Sequence, residues 1–274
     1  KGEQSLSDIY GVDQITGGRL PLIQVPTTAG TGSEATMVSI ITTGETTNAG
    51  VVSRTLLADK IVLDASLTLG LPPHVTAATG IDAMVHAIEA YTSRRLKNSL
   101  SDMLAREALR LLAGNIAVAV KQGDNLDARG SMLLGAMLAG QAFANAPVAA
   151  VHALAYPLGG NYHIPHGLSN SLVLPHVIRF NGPSAGDLYK EIAPLIMPGK
   201  SLPDDALVVT EMLAEHFLSL AEDLGLQTSL SQMNVPEGDL PKLAEEAMLQ
   251  QRLLINNPRE VSVDDSLEIY RQAY

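Results

Sequence analysis

The first 66 residues alternate short apolar runs with loops rich in Gly and Thr. The apolar runs are Leu20–Pro26, Met37–Ile41 and Ile61–Leu63, and each is followed by turn-forming or polar residues. Short runs of this kind, bounded by turn residues, are typical of strands. This part of the chain is therefore predicted to be α/β or β.

From Pro72 onwards, apolar residues recur every three or four positions, which predicts helices. The predicted helices are Pro72–Ala90, Leu100–Ala119, Ala206–Leu224, Asp239–Leu249 and Ser262–Ala273. Ser201–Asp204 and Ser262–Asp265 are predicted to cap two of them. We therefore expect an α/β remnant, residues 1–66, followed by an all-helical domain, residues 67–274.

Composition indicates a large buried interior and restricts the partners. Apolar residues make up 46% of the chain and charged residues 17%, against about 25% charged residues in ordinary domains. This excess favours a sizeable core and self-association as a homodimer or larger homo-oligomer. The net charge is −11 without a basic run, so neither nucleic acid nor an anionic membrane is expected as a partner. Since there is no Cys, any metal must be held by His, Asp or Glu, and a cytoplasmic location is expected.

Residues 130–178 contain no Asp, Glu, Lys or Arg, yet hold four of the seven histidines. Gly, Asn, Gln, Pro and His interrupt the segment throughout, so it has no clean apolar run of about 18–20 residues and is predicted to be buried in the protein rather than in a membrane. Neutral imidazoles here are either satisfied core residues or ligands of an ion that supplies the missing charge.

Asp82 and His86 are four residues apart in a predicted helix. Side chains at this spacing share one helix face, which suits a carboxylate and an imidazole converging on one ion. Such pairs also occur as surface neighbours or as hydrogen-bonded pairs. The spacing alone leaves both interpretations open.

His152 and His166 are the second candidate pair. Pro157, the glycines that follow it and Pro165 are predicted to break any helix between them, so a loop can bring one His back towards the other. One Asp and three His would suit Fe²⁺ or Zn²⁺ and would leave coordination positions open, as in catalytic sites. The alternative is a pair of core histidines bonded to backbone carbonyls.

Three further features have structural and functional interpretations. The loop Thr27–Glu34 follows the first predicted strand, and its glycines, hydroxyls and N–H groups suit either a phosphate or amide ligand or a tight turn. Glu89 lies on the helix of Asp82 and is either a base or, more simply, a capping or ion-pairing residue. His176 is interpreted as a buried structural histidine.

Four motifs, taken together and in this order, resemble the iron-containing (group III) alcohol dehydrogenases. They are PTTAGTGSE, GIDAMVHAIEAY, HALAYPLGG and PHGLSNSLVLPHV, within a similarity that runs from about Leu20 to Tyr274. The resemblance implies a Rossmann-like domain that binds NAD or NADP and a helical domain that holds Fe²⁺ or Zn²⁺ in the cleft between them. It implies metal ligation by Asp82, His86, His152 and His166, and cofactor contacts near the nicotinamide from Thr27, Thr28 and Thr31.

The implied reaction is metal-dependent hydride transfer between an alcohol and an aldehyde or ketone, so the expected partner is a small-molecule substrate. Where many members carry a His four residues after the third ligand, this chain has Tyr156, so Tyr156 or His163 is the candidate proton carrier. Alternative functions are hydroxyacid–oxoacid transhydrogenation, a metal-dependent lyase of the dehydroquinate synthase-like group with Glu89 as base, and a non-enzymatic metal-binding helical module.

The chain departs from the family pattern at its N-terminal end. It contains no GGGS phosphate loop, and its first residue is Lys1. The resemblance therefore implies that residues 1–66 are the last part of the nucleotide-binding domain. We expect the chain as given to bind NAD(P) poorly or not at all.

Overall fold

The fold is known from a computed structural model, which describes residues 4–43 and 48–274. In these residues the helices are α1 (Pro73–Thr92), α2 (Ser99–Lys121), α3 (Leu126–Asn145), α4 (Ala150–Tyr162), α5 (His166–Ile196), α6 (Ala206–Asp223), α7 (Leu240–Ala247), α8 (Gln251–Leu254) and α9 (Val263–Gln272). The strands are β1 (Gly11–Val12), β2 (Ile23–Gln24), β3 (Val38–Thr42), β4 (Asn48–Val52) and β5 (Lys60–Ile61). A small α/β part is thus followed by a helical part, which confirms the predicted fold class.

The strands form two small sheets before α1. One has the order β1-β4-β3, with β1 parallel and β3 antiparallel to β4, and the other pairs β2 with β5 in parallel. The apolar runs correctly predicted β2, β3 and β5. They missed β1 and β4, because Gly11–Val12 and Asn48–Val52 carry too little apolar sequence to stand out from the surrounding loops.

Helix α1 lies at the centre of the helical part and packs against α2, α3 and α5. Its residues from Thr76 to Thr92 are buried on nearly every side, with Thr79 the half-buried exception. A helix enclosed in this way needs small side chains so that neighbouring helices can approach, and five alanines supply them. Polar groups on α1 are consequently held in fixed positions inside the protein.

Two local predictions in the helical part differ from the structure. The helix is broken between His152 and His166 as predicted, since α4 ends at Tyr162 and α5 begins after Pro165. However, α4 runs without interruption through Pro157 and the two glycines after it, which were expected to contribute to the break. Pro157 is buried, and an open loop at that depth would leave more backbone polar groups unpaired than the one N–H that proline lacks. The cap of α6 is Asp205 rather than Ser201–Asp204, because its carboxylate accepts the N–H groups of Leu207 and Val208.

Within the described residues, no single helix has the length and apolar composition needed to cross a membrane. Helices α3 and α4 pass that test only when joined, and a bend of 108° separates them.

Two close approaches between backbones position the segments that carry candidate chemistry. A Cβ on Gly167, at the start of α5, would lie 2.4 Å from the carbonyl oxygen of Ala78 on α1. A Cβ on Gly140 of α3 would lie 2.3 Å from the carbonyl oxygen of Gly32, in the loop after β2. Glycine permits both contacts, and they bring α5 and this loop directly against the central helices.

Candidate metal centre

Asp82, His86, His152 and His166 converge at one point between α1, α4 and α5. The first two are one turn apart on α1, His152 lies in the first turn of α4, and His166 is the first residue of α5. One potential ligand atom from each of the four lies within 4.8 Å of all the others. The fold therefore brings together all four residues that the resemblance implied as ligands.

The spacing of these atoms suits one divalent ion. Asp82 Oδ1 lies 3.6 Å from His166 Nε2, 3.9 Å from His152 Nε2 and 4.0 Å from His86 Nε2. Two atoms that are each about 2.1 Å from a common ion lie about 3.0–4.2 Å apart for angles between 90° and 180°. One carboxylate oxygen and three imidazole nitrogens are a donor set for Fe²⁺ or Zn²⁺. Geometry and chemistry both fit a metal ion.

The cluster is enclosed on three sides and open at His166. The side chains of Asp82, His86 and His152 are 3%, 6% and 3% exposed, whereas that of His166 is 44% exposed. On the enclosed side, the His86 ring stacks on that of His152 at 4.7 Å between centroids and lies tilted against that of Phe143 at 4.6 Å. A ligand could thus reach the cluster from the His166 side.

Burial and the mutual interactions of the four groups set their protonation. Burial lowers the pKa of His86 to about 3, against the opposing effect of the Asp82 carboxylate. Burial also lowers the pKa of His166. Burial alone would raise the pKa of Asp82, but the three imidazoles and Asn170 lower it overall. An ionised Asp82 beside neutral His86 and His166 is the protonation state that metal ligation requires.

His152 differs from the other two histidines because Glu89 supports it. Burial would lower the pKa of His152, but the nearby carboxylates of Glu89 and Asp82 raise it overall. Glu89 Oε2 lies 2.7 Å from His152 Nδ1. Since a carboxylate can only accept, Nδ1 carries the hydrogen and Nε2 is directed at the cluster.

Glu89 also replaces the missing cap of helix α4. Ala149 precedes that helix and has no side chain that could cap it. The Glu89 carboxylate accepts the N–H of Ala149 at 2.9 Å and that of Val151 at 2.7 Å. With three donors bound, Glu89 caps α4 and orients His152, in line with its simpler interpretation, and does not stand free as the base that a lyase would need.

Asn170 is fully buried beside the cluster, and no motif or pattern in the sequence predicted a role for it. Its Nδ2 donates to Asp82 Oδ1 over 2.6 Å. Spacing could have indicated it, because Asn170 is one helical turn after His166 on α5.

The loop from Thr27 to Glu34 lies against α1, the helix that carries Asp82 and His86. A Cβ on Gly30 would lie 2.8 Å from the Cβ of Thr79, so the loop backbone is in close contact with this helix. Thr27 and Thr31 are exposed and Thr28 is half-buried. The Thr31 hydroxyl is paired with Ser33, donating to its Oγ and accepting from its N–H.

The two candidate proton carriers have different surroundings. The half-buried ring of Tyr156 lies 6.1 Å from that of His166, one turn after His152 on α4. Burial raises the pKa of Tyr156, and Glu89 and Asp82 raise it further, so the phenol stays neutral at physiological pH. His163 is exposed and ends α4 in a left-handed backbone conformation. Its role as a proton carrier stays a prediction.

His176 lies on α5, outside the cluster of four. It is buried, and its Nδ1 has no hydrogen-bond partner. Burial lowers its pKa to about 4, and the nearby Arg179 acts in the same direction. This agrees with its interpretation as a structural residue.

The structure therefore combines a small α/β part, a helical part and a buried cluster of one Asp and three His that is suited to a metal ion. Two family models match the chain. One is the C-terminal model of the Fe-containing alcohol dehydrogenase family, over residues 76–274, and the other, iron-containing alcohol dehydrogenase, matches residues 2–65. The chain belongs to the iron-containing alcohol dehydrogenase family.

Individual relatives agree with this assignment. Long-chain-alcohol dehydrogenase 1 of Geobacillus thermodenitrificans is 41% identical over 93% of this chain and 64% of its own length. A crystal structure of 1,3-propanediol oxidoreductase superposes with a TM-score of 0.93 at 37% identity, over 100% of this chain and 71% of that one. Sulfoacetaldehyde reductase from Bifidobacterium kashiwanohense, solved with NAD⁺, superposes with a TM-score of 0.86 at 29% identity. The superposition covers 99% of this chain and 70% of that one. The chain thus spans about two thirds of the length of its relatives.

Proposed function

We propose that the chain acts in the interconversion of alcohols with aldehydes or ketones, with Asp82, His86, His152 and His166 as ligands of a divalent metal. The convergence of these four donor atoms, open on one side, carries the proposal. Family membership favours Fe²⁺, and the donor set also accepts Zn²⁺. Within the family, one relative was solved with NAD⁺, which supports NAD or NADP as the second cofactor.

When bound, the metal supplies Lewis acidity towards a substrate oxygen, and the nicotinamide supplies the hydride chemistry. The protein's own residues do the positioning. Glu89 fixes the tautomer of His152, and the exposed edge at His166 admits the substrate. Tyr156, held neutral beside this edge, is suited to donate a hydrogen bond to a carbonyl oxygen rather than to act as a base. Thr27, Thr28 and Thr31 are proposed to contact the nicotinamide end of the cofactor.

The domain division proposed from sequence is residues 1–66 and 67–274. The two family models match on either side of this boundary, and every strand precedes α1 within the described residues, which supports the division.

We also propose a cytoplasmic homodimer or larger homo-oligomer. The excess of apolar over charged residues, 46% against 17%, supports self-association, and light scattering coupled to size exclusion would measure it.

Metal analysis of the purified chain tests the proposed site. We expect close to one Fe or Zn per chain after loading, and loss of this metal in Asp82→Ala and His166→Ala with the helical circular dichroism retained. Stoichiometric metal in both variants would reject the site.

Oxidation of NADH, followed at 340 nm, tests the reaction. The aldehydes offered are a long-chain aldehyde, 3-hydroxypropanal and sulfoacetaldehyde, chosen after the names of the relatives. Because the chain as given is expected to bind NAD(P) poorly, NADH is supplied in large excess. Under these conditions we expect slow, metal-dependent turnover of at least one aldehyde, reduced in Tyr156→Phe. Metal binding without any turnover would favour the metal-binding helical module.

A further inference from the structure

The amide of Asn170 lies among the donor atoms of the proposed metal centre. Its Nδ2 is 2.6 Å from Asp82 Oδ1, 3.3 Å from His166 Nε2 and 3.4 Å from His152 Nε2. One NH₂ group with two hydrogens thus faces three of the four atoms proposed to ligate the metal. The fourth, His86 Nε2, belongs to the cluster without a described bond to Asn170.

The other end of the same amide has no partner. Asn170 Oδ1 is buried and accepts no hydrogen bond. A buried acceptor without a donor destabilises the folded protein, because the oxygen has lost its hydrogen bonds to water. Turning the amide over would place Oδ1 against Asp82 Oδ1, where two oxygens with only lone pairs repel each other. In the observed orientation the NH₂ group donates to the cluster, and Oδ1 is left without a donor.

The cluster needs such a donor when it holds no ion. A carboxylate oxygen and two imidazole lone pairs pointing at one point repel each other, and burial prevents water from screening Asp82 and His152. In the neutral form of His152, the hydrogen lies on Nδ1 and is donated to Glu89, so Nε2 has no hydrogen and can only accept. The NH₂ hydrogens of Asn170 reduce this repulsion, because they lie among the three converging acceptor atoms.

We propose that Asn170 is a positioning residue that holds Asp82, His152 and His166 in their ligating arrangement before the metal enters. Before the metal binds, its amide offers hydrogens to these acceptors. When the metal takes the single lone pair of each imidazole Nε2, the bond to Asp82 Oδ1 can remain, because a carboxylate oxygen has a second lone pair. The gain is preorganisation, because the ligands do not have to be gathered when the metal binds. This inference rests on the proposed metal-binding function and adds a residue to the ligand set without making it a ligand.

The test is the Zn²⁺ affinity of the whole chain, measured by competition with a chromophoric chelator, together with the visible spectrum of the Co²⁺-loaded protein. Asn170→Ala removes the amide, and Asn170→Leu removes it while keeping similar volume. Ser169→Ala is the matched control, since Ser169 is equally buried on the same helix but its hydroxyl donates to the carbonyl of Ile164, away from the cluster.

We expect both Asn170 variants to bind Zn²⁺ about 10–100-fold more weakly, the usual effect of losing a group that orients metal ligands. The Ser169 variant should stay within about threefold of the unmodified chain. The Co²⁺ bands should keep their positions in every variant, because the ligands themselves are unchanged.

Three results would overturn the inference. They are unchanged Zn²⁺ affinity in both Asn170 variants, an equal loss in Ser169→Ala, or a shift of the Co²⁺ bands, which would make Asn170 a ligand. Failure of the unmodified chain to bind either metal would instead refute the proposed function, so the two failures are distinguishable.

Discussion

The Nδ1–H of His152 donates to Glu89 Oε2 over 2.7 Å, joining helices α4 and α1 beside the proposed metal centre. The same carboxylate caps α4 through the N–H groups of Ala149 and Val151. One buried residue therefore caps a helix and orients a proposed metal ligand on its first turn. We expect local folding and metal affinity to be coupled through Glu89.

Glu89→Gln is expected to weaken both properties. The amide has one accepting atom in place of two, so at least one of the three N–H groups loses its partner. We expect Zn²⁺ affinity to fall about 10–100-fold and the free energy of unfolding, measured in urea, to fall by about 1–3 kcal/mol. Glu107→Gln is the control, because Glu107 forms only an exposed ion pair with Arg110. An unchanged Zn²⁺ affinity in Glu89→Gln would contradict the orienting role.

Gly167→Ala is expected to separate α5 from α1. The new Cβ would clash with the Ala78 carbonyl, and relief of the clash must move His166, the neighbouring residue, away from Asp82. We expect lower stability in urea and weaker binding of Zn²⁺. Gly160→Ala is the matched control, since Gly160 lies within α4 with open space around its Cα. It should raise the free energy of unfolding by about 0.5–1 kcal/mol. Equal effects of the two changes would contradict this account of the close approach.

Binding of Zn²⁺ near pH 7 is expected to release protons. The pKa of His152 is raised by Glu89 and Asp82, so part of the metal-free protein carries a proton on the nitrogen that the metal needs. The pKa values of His86 and His166 are lowered, so these two residues hold no such proton at this pH. Titration calorimetry in two buffers of different ionisation enthalpy measures the release, which should increase as the pH is lowered from 8 to 7. Buffer-independent heats would refute it.

The stability of the chain is expected to fall between about pH 6.5 and about pH 4 partly through His176. Above this range His176 is neutral in both the folded and unfolded chain. Within it, the unfolded chain takes up a proton at the ordinary histidine pKa of about 6.5, while the folded chain resists protonation until about 4. Each such group costs up to about 1.4 kcal/mol per pH unit.

His176→Leu measures this contribution. The difference in unfolding free energy between pH 7 and pH 5, from urea titrations, should be up to about 2 kcal/mol smaller in the variant than in the unmodified chain. Equal pH dependence of the unfolding free energy in the two proteins would contradict this account, because it would mean that His176 has the same pKa in the folded and the unfolded chain. His216→Leu serves as a comparison, because the pKa of that more exposed residue is lowered as well.

Sequence patterns predicted the helices whose ends carry local signals. Ser262 and Asp265 form the expected capping box of α9, and the apolar period placed α1 and α2 within two residues of their observed ends. The two-residue β1 escaped prediction because a bridge of that size depends on its partner strand, not on its own composition. The effect of Pro157 was also predicted wrongly from local sequence. The burial of α4 outweighed the tendency of proline to break a helix.

The sequence by itself determined the residue types at the proposed centre and their family, because motif order and the Asp82–His86 spacing are local properties of the chain. It excluded thiolate ligands, since there is no Cys. Tertiary structure alone decided that α4 and α5 bring His152 and His166 to Asp82 Oδ1, and that Glu89 and Asn170 are directed at the same cluster. Distances between residues far apart in sequence depend on how helices pack, and here that packing depends on close backbone approaches such as that of Gly167 to Ala78.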